Sequence, residues 1–125
     1  MIVKREYPSY GHLLECGDTT IPEQFFKRGV IAASHNHHFL GDIGRWFMTR
    51  VAGLYVVDST HVEIRPDFIN SLSRAQASYE LPAGRIEVCW EKKDSGYEVL
   101  VCCPENIACK AILPDGYNVV YRIQR

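Results

Sequence analysis

After Asp58 the apolar residues of this chain change period, from helical recurrence to alternation with polar neighbours. Side chains on a helix face its core about every 3.6 residues, whereas those on a strand do so every second residue. A sequence that switches between the two periods must fold as two kinds of structure in series. His61-Val62-Glu63-Ile64-Arg65 reads as a strand that Pro66 ends. Ala75, Ala77, Tyr79 and Leu81 alternate with polar partners up to a turn at Pro82-Ala83-Gly84. Ile86, Val88 and Trp90 then share one face, with Arg85, Glu87 and Glu91 on the other. Lys93-Asp94-Ser95-Gly96 is a hairpin signal, and Tyr97, Val99 and Val101 continue the sheet. Residues 106–113 and 117–123 supply two further strands around Pro114-Asp115-Gly116. The spacing predicts about five or six short antiparallel strands, enough for a sandwich.

The first part of the chain has a different pattern. Residues 8–15 suit a short helix with Pro8 in its first turn and Gly17 as its stop. Thr19, Thr20 and Pro22 oppose helix, so residues 17–29 read as irregular. Ser34 or Asn36 can cap a second helix running to Arg50, about four turns long. Along it Phe39, Leu40, Ile43, Trp46, Phe47 and Val51 form one apolar stripe that Gly53 terminates. Large aromatics bury about 150–250 Å² each. Phe25, Phe26, Trp46 and Phe47 therefore need a cover, either the sheet or a partner surface, which includes a second copy of the chain. The fold class predicted is α+β, with helical residues 1–58 followed by an antiparallel β-sandwich over 59–125.

Fourteen basic and fifteen acidic residues give a net charge of -1, and no basic run exceeds Lys27-Arg28 or Lys92-Lys93. Binding to nucleic acid through phosphate contacts is not expected from such a balance. No apolar stretch approaches the roughly 20 residues of a membrane helix. The start, Met1-Ile2-Val3-Lys4-Arg5-Glu6, lacks the order of a secretory signal. The chain as written is expected to be soluble and cytoplasmic, with a periplasmic or secreted location if a longer parent carries the signal. Five cysteines, Cys16, Cys89, Cys102, Cys103 and Cys109, form no Cys-x-x-Cys pair. They read as small buried hydrophobes, and adjacent Cys102 and Cys103 would point to opposite faces of a strand.

Chemistry concentrates in two polar clusters, Thr19-Thr20-Ile21-Pro22-Glu23 and Ser34-His35-Asn36-His37-His38. A carboxylate and an imidazole entering a fold on neighbouring turns can converge on one pocket, as general acid/base work or polar-ligand capture requires. His35, His37 and His38 lack the i, i+4 spacing of zinc-protease histidines, and no metal or cofactor is expected. Asp18 and Asp42 read as solvated or capping residues, and His12 and His61 as surface or rim histidines.

In series, Tyr7-Pro8-Ser9-Tyr10-Gly11, Gly17-Asp18-Thr19-Thr20-Ile21-Pro22-Glu23, Ser34-His35-Asn36-His37 with Gly41 and Trp46, and Arg50-Val51-Ala52-Gly53-Leu54 resemble the end of the catalytic region of bacterial α-L-rhamnosidases. So does the run from Ala77 to Glu91. The resemblance covers nearly the whole chain. It implies a large inverting glycoside hydrolase, with an (α/α)6 barrel whose last helices lie in residues 1–58 and a small sandwich over 59–125. It implies that Glu23 is the catalytic carboxylate, the base that activates water, held by Thr19 or Thr20. It also implies that His37, with Asn36 and Thr20, contacts the sugar. The implied partners are a rhamnosyl glycan and the remainder of the barrel. Pro22 stands where the family commonly has Trp, and the family's general acid, on an earlier Asp-Gly-Pro type motif, has no counterpart here. The resemblance therefore implies a chain that is inactive alone. A non-catalytic carbohydrate-binding module is the alternative, with Tyr79, Trp90, Tyr97, Tyr117 and Tyr121 as stacking candidates.

Overall fold

Helix α1 (Tyr10–Glu15) shows how local sequence sets an element and both its ends. The Ser9 hydroxyl accepts from His12 N at 3.0 Å and donates to the Lys4 carbonyl at 2.7 Å, so Ser9 is the N-cap and Pro8 lies before it rather than in the first turn. At the other end Gly17 has φ 84°, its N–H reaches Leu14 O at 3.0 Å, and Asp18 N reaches Leu13 O at 3.1 Å. That pair of bonds is the Schellman closure, which needs a residue tolerant of the left-handed region at Gly17. The computed structural model describes residues 4–27, 29–30 and 34–125, and the chain divides into two compact units, Met1–Gly44 and Arg45–Arg125.

The second helix is shorter than its apolar spacing predicts. Residues 38–42 form turns, α2 covers only Ile43–Trp46, and a π-helical turn occupies Phe47–Val51. Neither Ser34 nor Asn36 caps it. Gly41 and Gly44 weaken helix in this stretch, and a side chain at Gly41 would meet the His38 carbonyl at 3.1 Å. Phe39 stays 63% exposed, and Trp46 and Phe47 are also exposed, so the stripe does not pack as one face. Gly53 does stop the helix, with φ 85°.

Seven strands follow: β1 (Leu54–Val56), β2 (His61–Ile64), β3 (Arg74–Leu81), β4 (Gly84–Lys93), β5 (Gly96–Cys102), β6 (Ala108–Ala111) and β7 (Val119–Gln124). Strand β1, directly after the helix stop, is additional to the strands the alternation marks. One sheet has the order β1-β2-β6 and the other β3-β4-β5-β7. Two-residue connections set the hairpin registers Leu81↔Gly84 and Lys93↔Gly96. Two ladders depart from the antiparallel expectation: β2 pairs with β6, and β5 with β7, in parallel. The residues on either side of the Pro114-Asp115-Gly116 turn thus join different sheets instead of each other.

One core fills the space between the sheets. Leu54, Val62 and Ile64 from the first sheet meet Ile86, Val88, Trp90, Tyr97, Val99 and Val101 from the second, in one buried cluster. Apart from Leu54 on β1, these are the alternating residues read from the sequence. The Trp90 indole N–H donates to Val51 O at 2.7 Å, and Asp67 N donates to Arg50 O at 2.8 Å. Two terminal carbonyls of the π-helical turn are thereby satisfied by the sandwich, as a buried helix end requires. The α+β class with a two-sheet C-terminal part stands. Among the cysteines only Cys103 is buried, and the others are half-exposed.

Candidate functional site

The backbone brings the two polar clusters side by side. Glu23 N donates to Ser34 O at 3.1 Å, and His37 N donates to Ile21 O at 2.8 Å. The Thr20 hydroxyl donates to the His35 carbonyl between these bonds. Thr20 therefore ties the two segments together, and among the described residues it does not hold the Glu23 carboxylate. Pro22 is buried, whereas Glu23, Thr20 and Asn36 are exposed and His37 is half-buried. Pro22 has no N–H to donate, and the flanking Ile21 carbonyl and Glu23 amide carry the pairing instead.

His37 is oriented by its own turn. Phe39 N donates to His37 Nδ1 at 3.2 Å, which occupies that lone pair. The neutral ring then carries its proton on Nε2 and presents a donor to a ligand oxygen. The ring stacks on His38 with centroids 4.9 Å apart and meets Phe39 edge-on at 4.1 Å. His35 turns toward buried Phe26, at 5.9 Å. The three histidines thus make different contacts, and no group of three His, Cys, Asp or Glu side chains among the described residues is placed to hold a metal. What the site offers is an exposed carboxylate, an oriented imidazole donor and an amide side chain on adjoining segments. That set can bind polyhydroxylated ligands and supply one acid/base group.

Other expectations need correction. Asp18 is not fully solvated: its Oδ2 is enclosed and without a hydrogen-bond partner among the described residues. The sandwich aromatics do not form a stacking platform. Trp90 and Tyr97 are core residues, Tyr121 packs against the core, and Phe68 stacks on Tyr97 at 4.0 Å. Only Tyr79 and Tyr117 of the five candidates are exposed, and Tyr117 lies edge-on to Phe68 and Tyr97. His61 is a surface residue, bonded through Nδ1 to Asp58 at 2.9 Å. It lines a groove of about 450 Å³ on the sandwich with Glu63, Cys109 and Lys110. That groove was invisible to sequence reasoning because β2 and β6 meet only through the parallel ladder.

Comparison with known proteins gives consistent results. Residues 60–124 match the bacterial alpha-L-rhamnosidase C-terminal domain, and residues 1–51 match the bacterial alpha-L-rhamnosidase 6 hairpin glycosidase domain. An alpha-L-rhamnosidase of Formosa agariphila is 25% identical over 123 residues, covering 91% of this chain and 13% of the relative. Among solved structures, the alpha-L-rhamnosidase of Dictyoglumus thermophilum superposes with a TM-score of 0.79 at 25% identity, over 92% of this chain and 13% of that one. The rhamnosidase of Bacillus sp. GL1 gives a TM-score of 0.78 at 24% identity, over 91% and 13%, which is a likeness of fold. The chain thus spans about an eighth of the length of these relatives.

Proposed function

This chain belongs to the bacterial alpha-L-rhamnosidase C-terminal domain family, and from that premise we propose that it is the C-terminal part of an inverting glycoside hydrolase that removes terminal α-L-rhamnosyl units. In this reading residues 1–58 hold the end of a helical barrel together with β1, which pairs into the first sheet, residues 59–125 supply the rest of the C-terminal sandwich, and the remainder of the barrel is the partner of the first unit. The observation that carries it is the pairing of the Thr20–Glu23 and Ser34–His37 segments through backbone and hydroxyl hydrogen bonds. Glu23 serves as the base. His37, through Nε2–H, and Asn36 contact sugar hydroxyls, and Thr20 keeps both segments in register beside the sugar.

Inversion needs two carboxyl groups roughly 6.5–9.5 Å apart, one ionised and one protonated, with water between base and sugar. Glu23 supplies the ionised member. The protonated member belongs to the barrel segment that carries the Asp-Gly-Pro type motif, so the 125 residues alone do not turn over substrate. The alternative of a stand-alone carbohydrate-binding module loses its main support with Trp90 and Tyr97 in the core. The test is an aryl α-L-rhamnoside assay of this chain and of a longer parent with and without Glu23→Gln. The chain alone should be inactive, and Glu23→Gln should lower the parent's kcat by about 10²–10⁴-fold, the range for a lost acid/base group. Turnover by the isolated chain, or a parent indifferent to Glu23→Gln, would defeat the proposal.

A further inference from the structure

Strand β3 forms one edge of the second sheet, and no strand pairs with its far side. It is eight residues long, against three for β1, four for β6 and six for β7, the other edge strands. Its ladder with β4 runs without a bulge from Arg74↔Glu91 to Leu81↔Gly84, and the strand contains neither Pro nor Lys. Short length, bulges, Pro and Lys are the devices that ordinarily keep an exposed edge from pairing with another chain. Among the described residues, no backbone hydrogen bond from outside the ladder reaches Arg74–Leu81. Alternation fixes what the edge offers. Lys92 N donates to Ser73 O at 2.8 Å, so Ser73 turns its carbonyl to β4. Every second residue of an antiparallel ladder does the same, which assigns Ala75, Ala77, Tyr79 and Leu81 to β4. Arg74, Gln76, Ser78 and Glu80 therefore point their N–H and C=O groups away from it. Their side chains lie on the outer face of the sheet, where Arg74 bonds Gln76, Gln76 bonds Glu87 and Arg85 bonds Ser78. Ala75, Ala77 and Leu81 pack against the core on the opposite face, yet Tyr79 on that face stays 43% exposed.

We propose that β3 is a dimerisation edge, to which a second copy of this chain adds its own β3 in antiparallel about a two-fold axis at Ala77. In that register Arg74 faces Glu80 of the second copy, and Gln76 faces Ser78 of the second copy. The axis repeats both pairs, so four hydrogen-bonded pairs form, each exchanging two bonds, about eight in all. Other registers use the edge less well. An axis at Ser78 sets Arg74 against Pro82, which has no N–H, and an axis at Gln76 sets Glu80 against Leu72, beyond the strand.

Charge selects the same register. Within one chain Arg85 faces Glu80 at 3.8 Å, and Arg74 faces Glu91 at 3.7 Å. Across the joined sheets the row Arg85, Glu80, then Arg74 and Glu91 of the second copy alternates in sign, and opposite charges on facing strands attract. On the core side Ala77 meets its own copy, and Tyr79 lies over Ala75 of the second copy. These are non-hydrogen-bonded positions, where side chains approach most closely. The small alanines leave room for the ring that the single chain exposes. Because each strand presents the same surface to the other, the contact closes as a dimer. Its area is that of one strand edge, so the dimer is weak, with a Kd on the order of 10–100 μM.

The experiment is analytical ultracentrifugation of the 125-residue chain from about 5 to 500 μM, which should show a reversible monomer–dimer equilibrium. Gln76→Pro removes an N–H that β4 does not use, so β3 should stay in its sheet while association weakens about tenfold or more. Arg74→Glu and Glu80→Arg should each weaken self-association by a similar factor, because each sets like charges face to face in both pairs. An equimolar mixture of these two variants should dimerise again, since the mixed pair has opposite charges at both positions. Should Gln76→Pro fail to fold, the charge variants and their mixture decide. A chain monomeric throughout this range leaves the edge to another occupant, such as the rest of a barrel, and overturns the inference. So does a dimer that folded Gln76→Pro leaves intact, or a mixture that associates no more tightly than either variant alone. None of these outcomes bears on Glu23, which the rhamnoside assay tests separately.

Discussion

Three donors converge on the Asp58 carboxylate: Thr60 N at 2.7 Å, the Thr60 hydroxyl at 2.9 Å and His61 Nδ1 at 2.9 Å. They hold its pKa down at about 2, the backbone bond from Thr60 contributing most. A folded pKa below the unfolded value means the carboxylate stabilises the fold above about pH 4. That contribution is lost as pH falls towards 2. Asp58→Asn should therefore reduce the urea midpoint near neutral pH and bring it closer to that of the unaltered chain near pH 2. A deficit of the same size at both pH values would mean that the charge is not the source. Residues of this kind were partly legible. Gly53 reads as a helix stop. That Gly53 must also lack a side chain because Pro66 N would lie 2.3 Å from a Cβ there is a long-range fact the sequence does not display.

At the scale of elements, periodicity and turn residues located β2 to β5 closely, because both act between near neighbours. They overestimated the second helix, since apolar spacing counts hydrophobic positions but ignores what Gly41 and Gly44 cost in a helix. They also missed β1, whose three residues are too few to show a period. One of the bonds that join helix and sheet comes from an indole. Trp90 is fully buried on β4 and donates to Val51 O, a carbonyl that the end of the π-helical turn leaves free. Trp90→Phe keeps an aromatic in the core but leaves that carbonyl unpaired, at a cost of about 1–3 kcal/mol. Urea unfolding should show that loss. Hydrogen exchange should rise in residues 47–53 more than in β5. Equal acceleration in both segments would point to general loosening and against a specific pin.

For the whole molecule the distribution of core decides the behaviour. The second unit contains a cluster of thirteen buried apolar residues, whereas among the described residues of the first the buried cluster is Leu13 and Phe26, with Phe25 against them. The described cluster of the first unit is the smaller of the two and offsets less conformational entropy. Brief proteolysis with trypsin should therefore cut within the first unit, at exposed sites such as Lys27, and leave a fragment beginning near residue 45. Cleavage within β3 to β5 before the first unit is cut would contradict this. Exposed Leu14, Val30 and Phe39 are consistent with the same deficit, and with the proposal that the rest of a barrel covers this unit. By itself the sequence determined which residues face inward on each strand, where the hairpins turn, how α1 is stopped, and which family motifs the chain carries. All of these depend on neighbours a few positions apart. Only the tertiary structure decided that β2 takes β6 and β5 takes β7 as parallel partners, and that Trp90 belongs to the core instead of a sugar-binding face. Such pairings are chosen by closing long loops around one shared core, a balance set by the whole chain and encoded at no single position.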